Sequence, residues 1–126
     1  MDHEIHETVL PDGTPALILR GELDLLACPT LKERLHALID PEPMFALVDL
    51  SDATFVDSTV LGTLIGANPR LLANDGALVL VCDNPNIRAI LTLTRLDRVF
   101  DIFESTADAE AAIEALREAR ATDSAV

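Results

Sequence analysis

The stretch FALVDLSDATFVDSTVLGTLIG, residues 45–66, decides the predicted fold because its hydrophobic pattern changes halfway along. The apolar run Phe45–Val48 is typical of a buried strand, and the acidic turn Asp49–Asp52 ends it. From Val60 onward, the apolar residues recur at the spacing of one helix face. Ser58 therefore lies at a strand-to-helix junction, where backbone N–H groups without a partner in the helix favour an anion. We expect Ser58 either to cap this helix or to act as a phosphorylation switch.

Strand and helix patterns alternate on both sides of this stretch. Ala77–Cys82 is a second apolar run bounded by turn residues, and a Pro-Asp-Gly turn near the N-terminus predicts a hairpin. The other predicted elements are strands at Ile5–Leu10, Ala16–Leu19 and Val99–Phe103, and helices at Pro29–Ile39, at Ser58–Ala73, from Pro85 onward and after Ser105. Residues Asp40–Pro43 and Asn74–Gly76 are predicted to close the first two helices. Pro69 is expected to kink the second helix, or to end it near Asn68, because proline has no N–H to donate.

This alternation predicts an α/β fold in a single domain over residues 1–117. A chain of 126 residues is long enough for one buried core. The sheet is expected to be mixed, with an antiparallel N-terminal hairpin followed by parallel strands, about five strands in all, and about four helices. Residues 118–126 are small and polar and are predicted to form a flexible C-terminal tail.

Charge and composition exclude several classes of function. Nine basic residues against 22 acidic ones give a net charge of −13, which argues against direct nucleic-acid binding because phosphates would be repelled. The N-terminus lacks the features of a signal peptide, and no apolar run approaches the roughly 20 residues of a membrane span. We therefore expect a cytoplasmic protein without membrane insertion. Cys28 and Cys82 match no metal or redox spacing, so two reduced thiols, no metal and no cofactor are predicted.

Two covalent roles for Ser58 lack features that they need. The nucleophile elbow of a hydrolase requires glycine two residues before and after the serine, where this chain has Val56 and Val60. An acyl-carrier protein also bears a serine after an aspartate at a helix start, but carriers are all-helical. The two strong strand patterns of this chain argue against that fold. The sequence therefore predicts a protein that is not an enzyme.

The carboxylates near Ser58 also allow comparison with a phosphorylated receiver domain. Asp49, Asp52 and Asp57 follow one strand, at the edge where ligands bind in open α/β sheets. Receivers, however, also use an acidic pair after the first strand and a lysine after the last one. The one lysine of this chain, Lys32, lies in the first predicted helix. The sequence therefore argues against a metal-assisted aspartyl phosphorylation site.

Three sequence blocks resemble the STAS domain, specifically the bacterial anti-sigma factor antagonists. They are Gly21–Asp24, Asp49–Gly62, and Ala77–Cys82 preceded by an Asp-Gly pair. The middle block is the most specific, because the family form is an apolar-Asp-Ser-Ser/Thr-Gly-Leu-Gly run directly after a strand. The resemblance covers about residues 5–117 and marks the predicted domain as STAS-like.

This resemblance implies a regulator that binds an anti-sigma factor and thereby releases a sigma factor. In such systems the anti-sigma factor is also a serine kinase, and its phosphorylation of the residue matched by Ser58 switches the regulator off. A phosphatase resets the switch. Thr59 is the adjacent alternative acceptor.

The resemblance also implies which residues meet the partner. Asp24 and Asp57 match acidic positions near the phosphorylated serine, and the start of the helix faces the partner. The implied partner-binding residues are Asp24, Asp57, Ser58, Thr59, Val60, Leu61 and Gly62. Val60 departs from the family, which commonly has glycine there, and this β-branched residue could alter access for the kinase. Pro69 is a second departure, farther from the serine.

A physical argument supports a switch of this kind. Phosphorylation of Ser58 would add about 1.5 to 2 negative charges at pH 7, next to Asp57 and, as we expect, near Asp24 and Asp52. At a separation of about 6 Å, each like-charge pair costs roughly 1 kcal/mol, and burial at an interface adds a desolvation cost. The alternatives are a STAS protein outside sigma control, such as a signalling scaffold or a lipid-transporter subunit, a carrier or hydrolase that uses Ser58, and a serine that only caps the helix.

Overall fold

The computed structural model describes residues 2–39, 45–73 and 75–124, with side chains as far as residue 120. The strands are β1 (His3–Val9), β2 (Pro15–Leu23), β3 (Phe45–Asp49), β4 (Ala53–Val56), β5 (Ala77–Val81) and β6 (Asp101–Phe103). The helices are α1 (Cys28–Ile39), α2 (Ser58–Leu72), α3 (Pro85–Leu93) and α4 (Thr106–Ser124), with short 3-10 turns at Leu25–Ala27 and Leu96–Arg98. The predicted stop at Asp40–Pro43, and Asn74 of the second stop, lie outside the described residues.

The six strands form one mixed sheet in the order β1-β2-β3-β5-β6, and β4 pairs with β2. β1 and β2 are antiparallel, and all other pairs are parallel. The predicted α/β fold, with its N-terminal hairpin, parallel strands and four helices, is therefore confirmed. β2 pairs with β3 through its first half and with β4 through Gly21–Leu23, with a register shift between Gly21 and Glu22.

Gly21 is required by the close approach of the N-terminus at this shift. Its φ is +81°, which L side chains rarely adopt, and an added Cβ atom would overlap the backbone carbonyl oxygen of Asp2. The backbone N–H of Glu22 donates to the same oxygen across 3.0 Å. The glycine of the first sequence block therefore allows the backbone of β2 to pass close to Asp2.

The core has two parts because both faces of the sheet are covered. Along β3, Ala46 and Val48 pack into the cluster beneath α1, α2 and α3, whereas Phe45 and Leu47 pack beneath α4. Alternate residues of one strand thus enter opposite layers. This arrangement explains why β3 and β5 are continuous apolar runs instead of alternating ones.

β4 was not predicted, so the sheet has one strand more than expected from the sequence. Ala53–Val56 is only four residues long, and just its first and last side chains are buried. It follows β3 after a tight turn, in which Asp49 Oδ1 accepts a hydrogen bond from the backbone N–H of Ser51 across 2.9 Å. Short strands are identified in a sequence mainly by their apolar pattern. The acidic residues of this turn interrupt that pattern just before β4, so the strand was not recognised.

α2 does not end near Asn68, so the early end is wrong and the kink at Pro69 stays a prediction. The helix continues through Pro69 to Leu72. Asn68 and Leu71 are buried on either side of the exposed proline, and Asn68 Oδ1 accepts a hydrogen bond from the backbone N–H of Leu78 across 3.0 Å. These tertiary contacts offset the loss of one helical hydrogen bond.

α4 also extends farther than expected. It runs to Ser124, through most of the segment predicted to be a tail. Near its C-terminal half, the guanidinium groups of Arg117 and Arg120 lie 5.4 Å and 5.3 Å from the ring centre of Phe45. Such contacts attach the helix to the sheet. The flexibility of residues 118–126 stays a prediction.

Candidate partner-binding site at the start of helix α2

Asp57, not Ser58, caps α2. The backbone of Asp57 is extended, with φ −76° and ψ 153°, and its Oδ1 accepts a hydrogen bond from the backbone N–H of Thr59 across 2.8 Å. Aspartate is among the best residues for this role. Ser58 is the first residue of the helix, and the interpretation of its hydroxyl as the cap is wrong. Its side chain is exposed and has no hydrogen bond within the described part of the chain.

The carboxylate of Asp57 is held in its charged form. The hydroxyl of Thr59 donates to Asp57 Oδ1 across 2.6 Å, and this bond, together with the backbone N–H of Thr59, lowers the pKa of Asp57 below its ordinary value. A negative charge therefore stands beside Ser58 over the physiological pH range.

The hydroxyl of Thr59 differs from that of Ser58 because it is already engaged. It donates to Asp57, and the thiol of Cys28 on α1 lies 3.4 Å from the same oxygen. Cys28 is not in a disulfide in the structure and is partly buried. Sequence spacing gave no sign that Cys28 would lie beside Thr59, since the two residues are 31 positions apart.

The loop that carries Asp24 lies beside the start of α2. The backbone N–H of Asp57 donates to the carbonyl oxygen of Leu23 across 2.9 Å. The Cys28 thiol is 3.9 Å from the carbonyl oxygen of Asp24, and the Asp24 side chain accepts from the backbone N–H of Leu26 across 3.0 Å. The structure thus brings the first and second sequence blocks together.

Val60 and Leu61 are buried, unlike their neighbours. Their exposed fractions are 0% and 4%, and both belong to the core beneath the sheet. Of the residues on α2 that were predicted to meet a partner, only Ser58, Thr59 and Gly62 are exposed. Burial also changes the expected role of Val60, because its branched side chain fills the core and does not stand in front of Ser58.

Two acidic residues, at the end of β3 and in the turn after it, have partners of their own. Asp49 closes the turn after β3, and Asp52 lies 3.4 Å from the guanidinium group of Arg20. Among the described residues, no group of three or more His, Cys, Asp or Glu side chains is arranged to hold a metal ion. No helix in the described part of the chain is long and apolar enough to span a membrane.

Exposed apolar residues lie on the two segments that adjoin the helix start, and they were not predicted from the sequence. Leu25 and Leu26 follow Asp24 and are 60% and 76% exposed, and Phe55 on β4 is 47% exposed. Phe55 is paired in register with Glu22, near the end of β2. We call Leu25, Leu26, Phe55, Ser58 and Thr59 the Ser58 surface. The adjacent leucines after Asp24 were the available sequence signal, but nothing in the sequence showed that they would be exposed.

Comparison with known proteins establishes the family. The model of the STAS domain family matches residues 6–109. The chain belongs to the STAS domain family, which confirms the resemblance drawn from the sequence.

Two relatives share one name. The chain is 28% identical over 86 residues to the anti-sigma-B factor antagonist of Listeria monocytogenes, covering 68% of this chain and 75% of the relative. It is 28% identical over 100 residues to the protein of the same name from Staphylococcus aureus, covering 79% and 93%. A crystal structure of an anti-sigma factor antagonist from Mycobacterium paratuberculosis superposes with a TM-score of 0.81 at 25% identity, covering 90% of this chain and 95% of that one.

Proposed function

We propose that this protein is an anti-sigma factor antagonist that binds an anti-sigma factor with serine kinase activity and is switched off by phosphorylation of Ser58. The names of its relatives support the class of function. The observation that carries the proposal is that the Ser58 hydroxyl is free to react. Its hydroxyl is exposed and unbonded within the described residues, at a helix start that another residue caps.

Ser58 is the acceptor in preference to Thr59. The kinase transfers the γ-phosphoryl group of ATP to Ser58 Oγ, with release of ADP and the hydroxyl proton. Ser58 Oγ can accept this group without loss of a hydrogen bond. Thr59 would have to break its 2.6 Å bond to the Asp57 carboxylate, and phosphorylation would place a dianion against that charge.

The phosphate acts through charge and leaves the fold intact. The backbone N–H of Thr59 is bonded to the Asp57 side chain, and that of Val60 donates to the Asp57 carbonyl oxygen across 3.0 Å. These donors are engaged already, so the phosphate gains mainly the helix dipole, worth about 0.3 to 1 kcal/mol. In a complex, the added charge would be desolvated beside Asp57, which costs several times as much. Phosphorylation therefore favours release of the partner.

The apolar part of the Ser58 surface supplies binding energy. Isolated exposed leucines are common on protein surfaces, but Leu25 and Leu26 are adjacent, and they border the loop bonded to the start of α2. An apolar patch beside a polar switch is the usual composition of a protein interface. The partner thus covers both the apolar anchors and the hydroxyl that it modifies.

Intact-mass measurement tests the switch. The protein is incubated with ATP and a serine kinase anti-sigma factor encoded in the same genome, and one added phosphate is expected. Ser58→Ala should lose this phosphate, while Thr59→Val should retain it. Phosphate retained in Ser58→Ala would contradict the assignment, and the absence of binding to any such kinase would contradict the proposed function.

A further inference from the structure

A groove with a volume of about 400 Å3 lies between α1 and α2. Thr59 lines one end of it. Cys28 on α1 contacts Thr59 at this end, and His36 on α1 contacts Arg70 on α2 at the other end, so the two helices run in the same direction along the groove. From Thr59 to Arg70, α2 rises about 16 Å, which corresponds to three helical turns.

The ionisable side chains that line the groove are all basic, although the whole chain is strongly acidic. Lys32, His36 and Arg70 all line it, whereas the net charge of the protein is −13. α2 contains no acidic residue, and the single acidic residue of α1, Glu33, does not line the groove. The groove is therefore a basic surface on an acidic protein.

Within the described part of the chain, the two cations Lys32 and Arg70 have no carboxylate partner. The salt bridges there join His6, Arg20 and Arg34 to residues of β1 and of the turn after β3, and neither Lys32 nor Arg70 takes part. A guanidinium nitrogen of Arg70 instead donates to Nδ1 of His36 across 3.1 Å. The cations of the groove are therefore available to an anionic group.

The floor of the groove permits close approach of another backbone. Gly62 and Gly66, one helical turn apart, both line it, and a Cβ atom added to either would meet nothing within 4 Å beyond its chain neighbours and the backbone of its own helix. Leu35 and Ala67 add apolar lining. Two positions without side chains, flanked by cations, fit a helix laid lengthwise in the groove.

We propose that this groove, the α1–α2 groove, binds a helical segment of the anti-sigma factor that bears acidic side chains. The inference rests on the proposed function, because Thr59 belongs both to the groove and to the Ser58 surface and so makes them continuous. Lys32 and Arg70 attract the acidic side chains of the segment, and the two glycines allow its backbone to come close to α2. Phosphorylation of Ser58 adds negative charge near one end of the groove, which opposes an acidic segment there.

Charge reversal tests the electrostatic part. Lys32→Glu/Arg70→Glu should weaken binding of the kinase used in the phosphorylation assay by at least about tenfold, and should reduce the dependence of the Kd on salt concentration. The matched control is Arg95→Glu/Arg98→Glu, which makes the same change in net charge outside the groove. Its Kd should stay within about twofold of the wild-type value.

Filling the groove tests the steric part. Gly66→Leu should weaken binding by about tenfold while it raises the Tm by about 3 °C, because leucine favours the helix and its Cβ atom meets no obstacle. A gain in stability with a loss of binding cannot come from unfolding. Gly66→Ala, which leaves most of the groove open, should raise the Tm and keep the affinity within about threefold.

The outcomes separate the two proposals. If the wild-type protein binds the kinase and is phosphorylated at Ser58, but all groove variants bind equally well, the groove inference alone is overturned. If the kinase does not bind the wild-type protein, the proposed function fails, and the groove inference with it.

Discussion

The first turn of α2 has an exposed face and a buried face with opposite roles. Ser58 and Thr59 lie on the exposed face, beside Leu25 and Leu26, while Val60 on the buried face is completely covered. Consecutive residues of a helix point in different directions, so one turn contributes both to recognition and to the core. Changes on the exposed face should therefore alter binding without altering stability, and changes on the buried face should do the opposite.

The largest expected effect is on the exposed face. Leu25→Ala/Leu26→Ala should weaken binding of the anti-sigma factor by about 50-fold, because apolar anchors at the centre of an interface carry much of the affinity. The Tm should stay within about 1 °C of the wild-type value, since both side chains are mostly in solvent. Calorimetric titration and thermal unfolding measure the two quantities. Leu93→Ala is the control, because Leu93 is 83% exposed at the end of α3 and should change neither.

The matching change on the buried face is Val60→Ala. It should lower the free energy of unfolding by about 2 kcal/mol, because it leaves a cavity in the core. Urea unfolding measures this cost. Affinity for the anti-sigma factor at a temperature well below the Tm should stay within about twofold of the wild-type value. A strong loss of affinity together with unchanged stability would show that Val60 contributes to recognition.

The neighbouring residues Asp57 and Ser58 should also differ in their effect on the Tm. Asp57→Ala should lower the Tm by about 3 to 5 °C, because it removes the acceptor for the backbone N–H and hydroxyl of Thr59. Ser58→Ala should leave the Tm within about 1 °C, because the Ser58 hydroxyl caps nothing. Equal losses in the two variants would contradict the assignment of Asp57 as the cap.

The smallest expected effect is a pH dependence of the Tm that arises from the Asp57 carboxylate. The pKa of Asp57 is lower in the folded protein than its ordinary value of 3.8, owing to the bonds from Thr59. Its contribution to stability is therefore fully present above the unfolded pKa and is lost as the pH falls through the folded pKa. Asp57→Asn can still cap but does not titrate, so its Tm should fall less than that of the wild type between pH 5 and about pH 2. Parallel slopes for the two proteins would contradict this account.

Most of the α/β order followed from local patterns. The two apolar runs became β3 and β5, and the change of pattern at Ser58 correctly marked the start of α2. These features depend on residues close together in the chain, so hydrophobic spacing is sufficient to identify them. β4 was missed because four residues with two exposed side chains form a strand only through pairing with the distant β2.

The candidate site was predicted only in part. The sequence identified the Asp57-Ser58-Thr59 junction and its likeness to a known family, but it did not distinguish the residue that caps from the one left free. Aspartate and serine are both favoured N-cap residues, so the sequence allows either Asp57 or Ser58 to cap α2. In the structure, the extended backbone that follows β4 ends at Asp57, which makes Asp57 the cap. Likewise, the hydrophobic pattern alone did not show that Leu25 and Leu26 would stay outside the core.

By itself, the sequence determined the family, the order of strands and helices, and a serine at a strand-to-helix junction, because these depend on short-range patterns. Only the tertiary structure decided that Asp57 is the cap, that Thr59 is engaged with Cys28, and that Ser58 is free. It also placed Lys32 and His36 opposite Arg70 along one groove. The contacts of Cys28 with Thr59 and of His36 with Arg70 join residues 31 and 34 positions apart, so they exist only where packing on the sheet sets α1 beside α2.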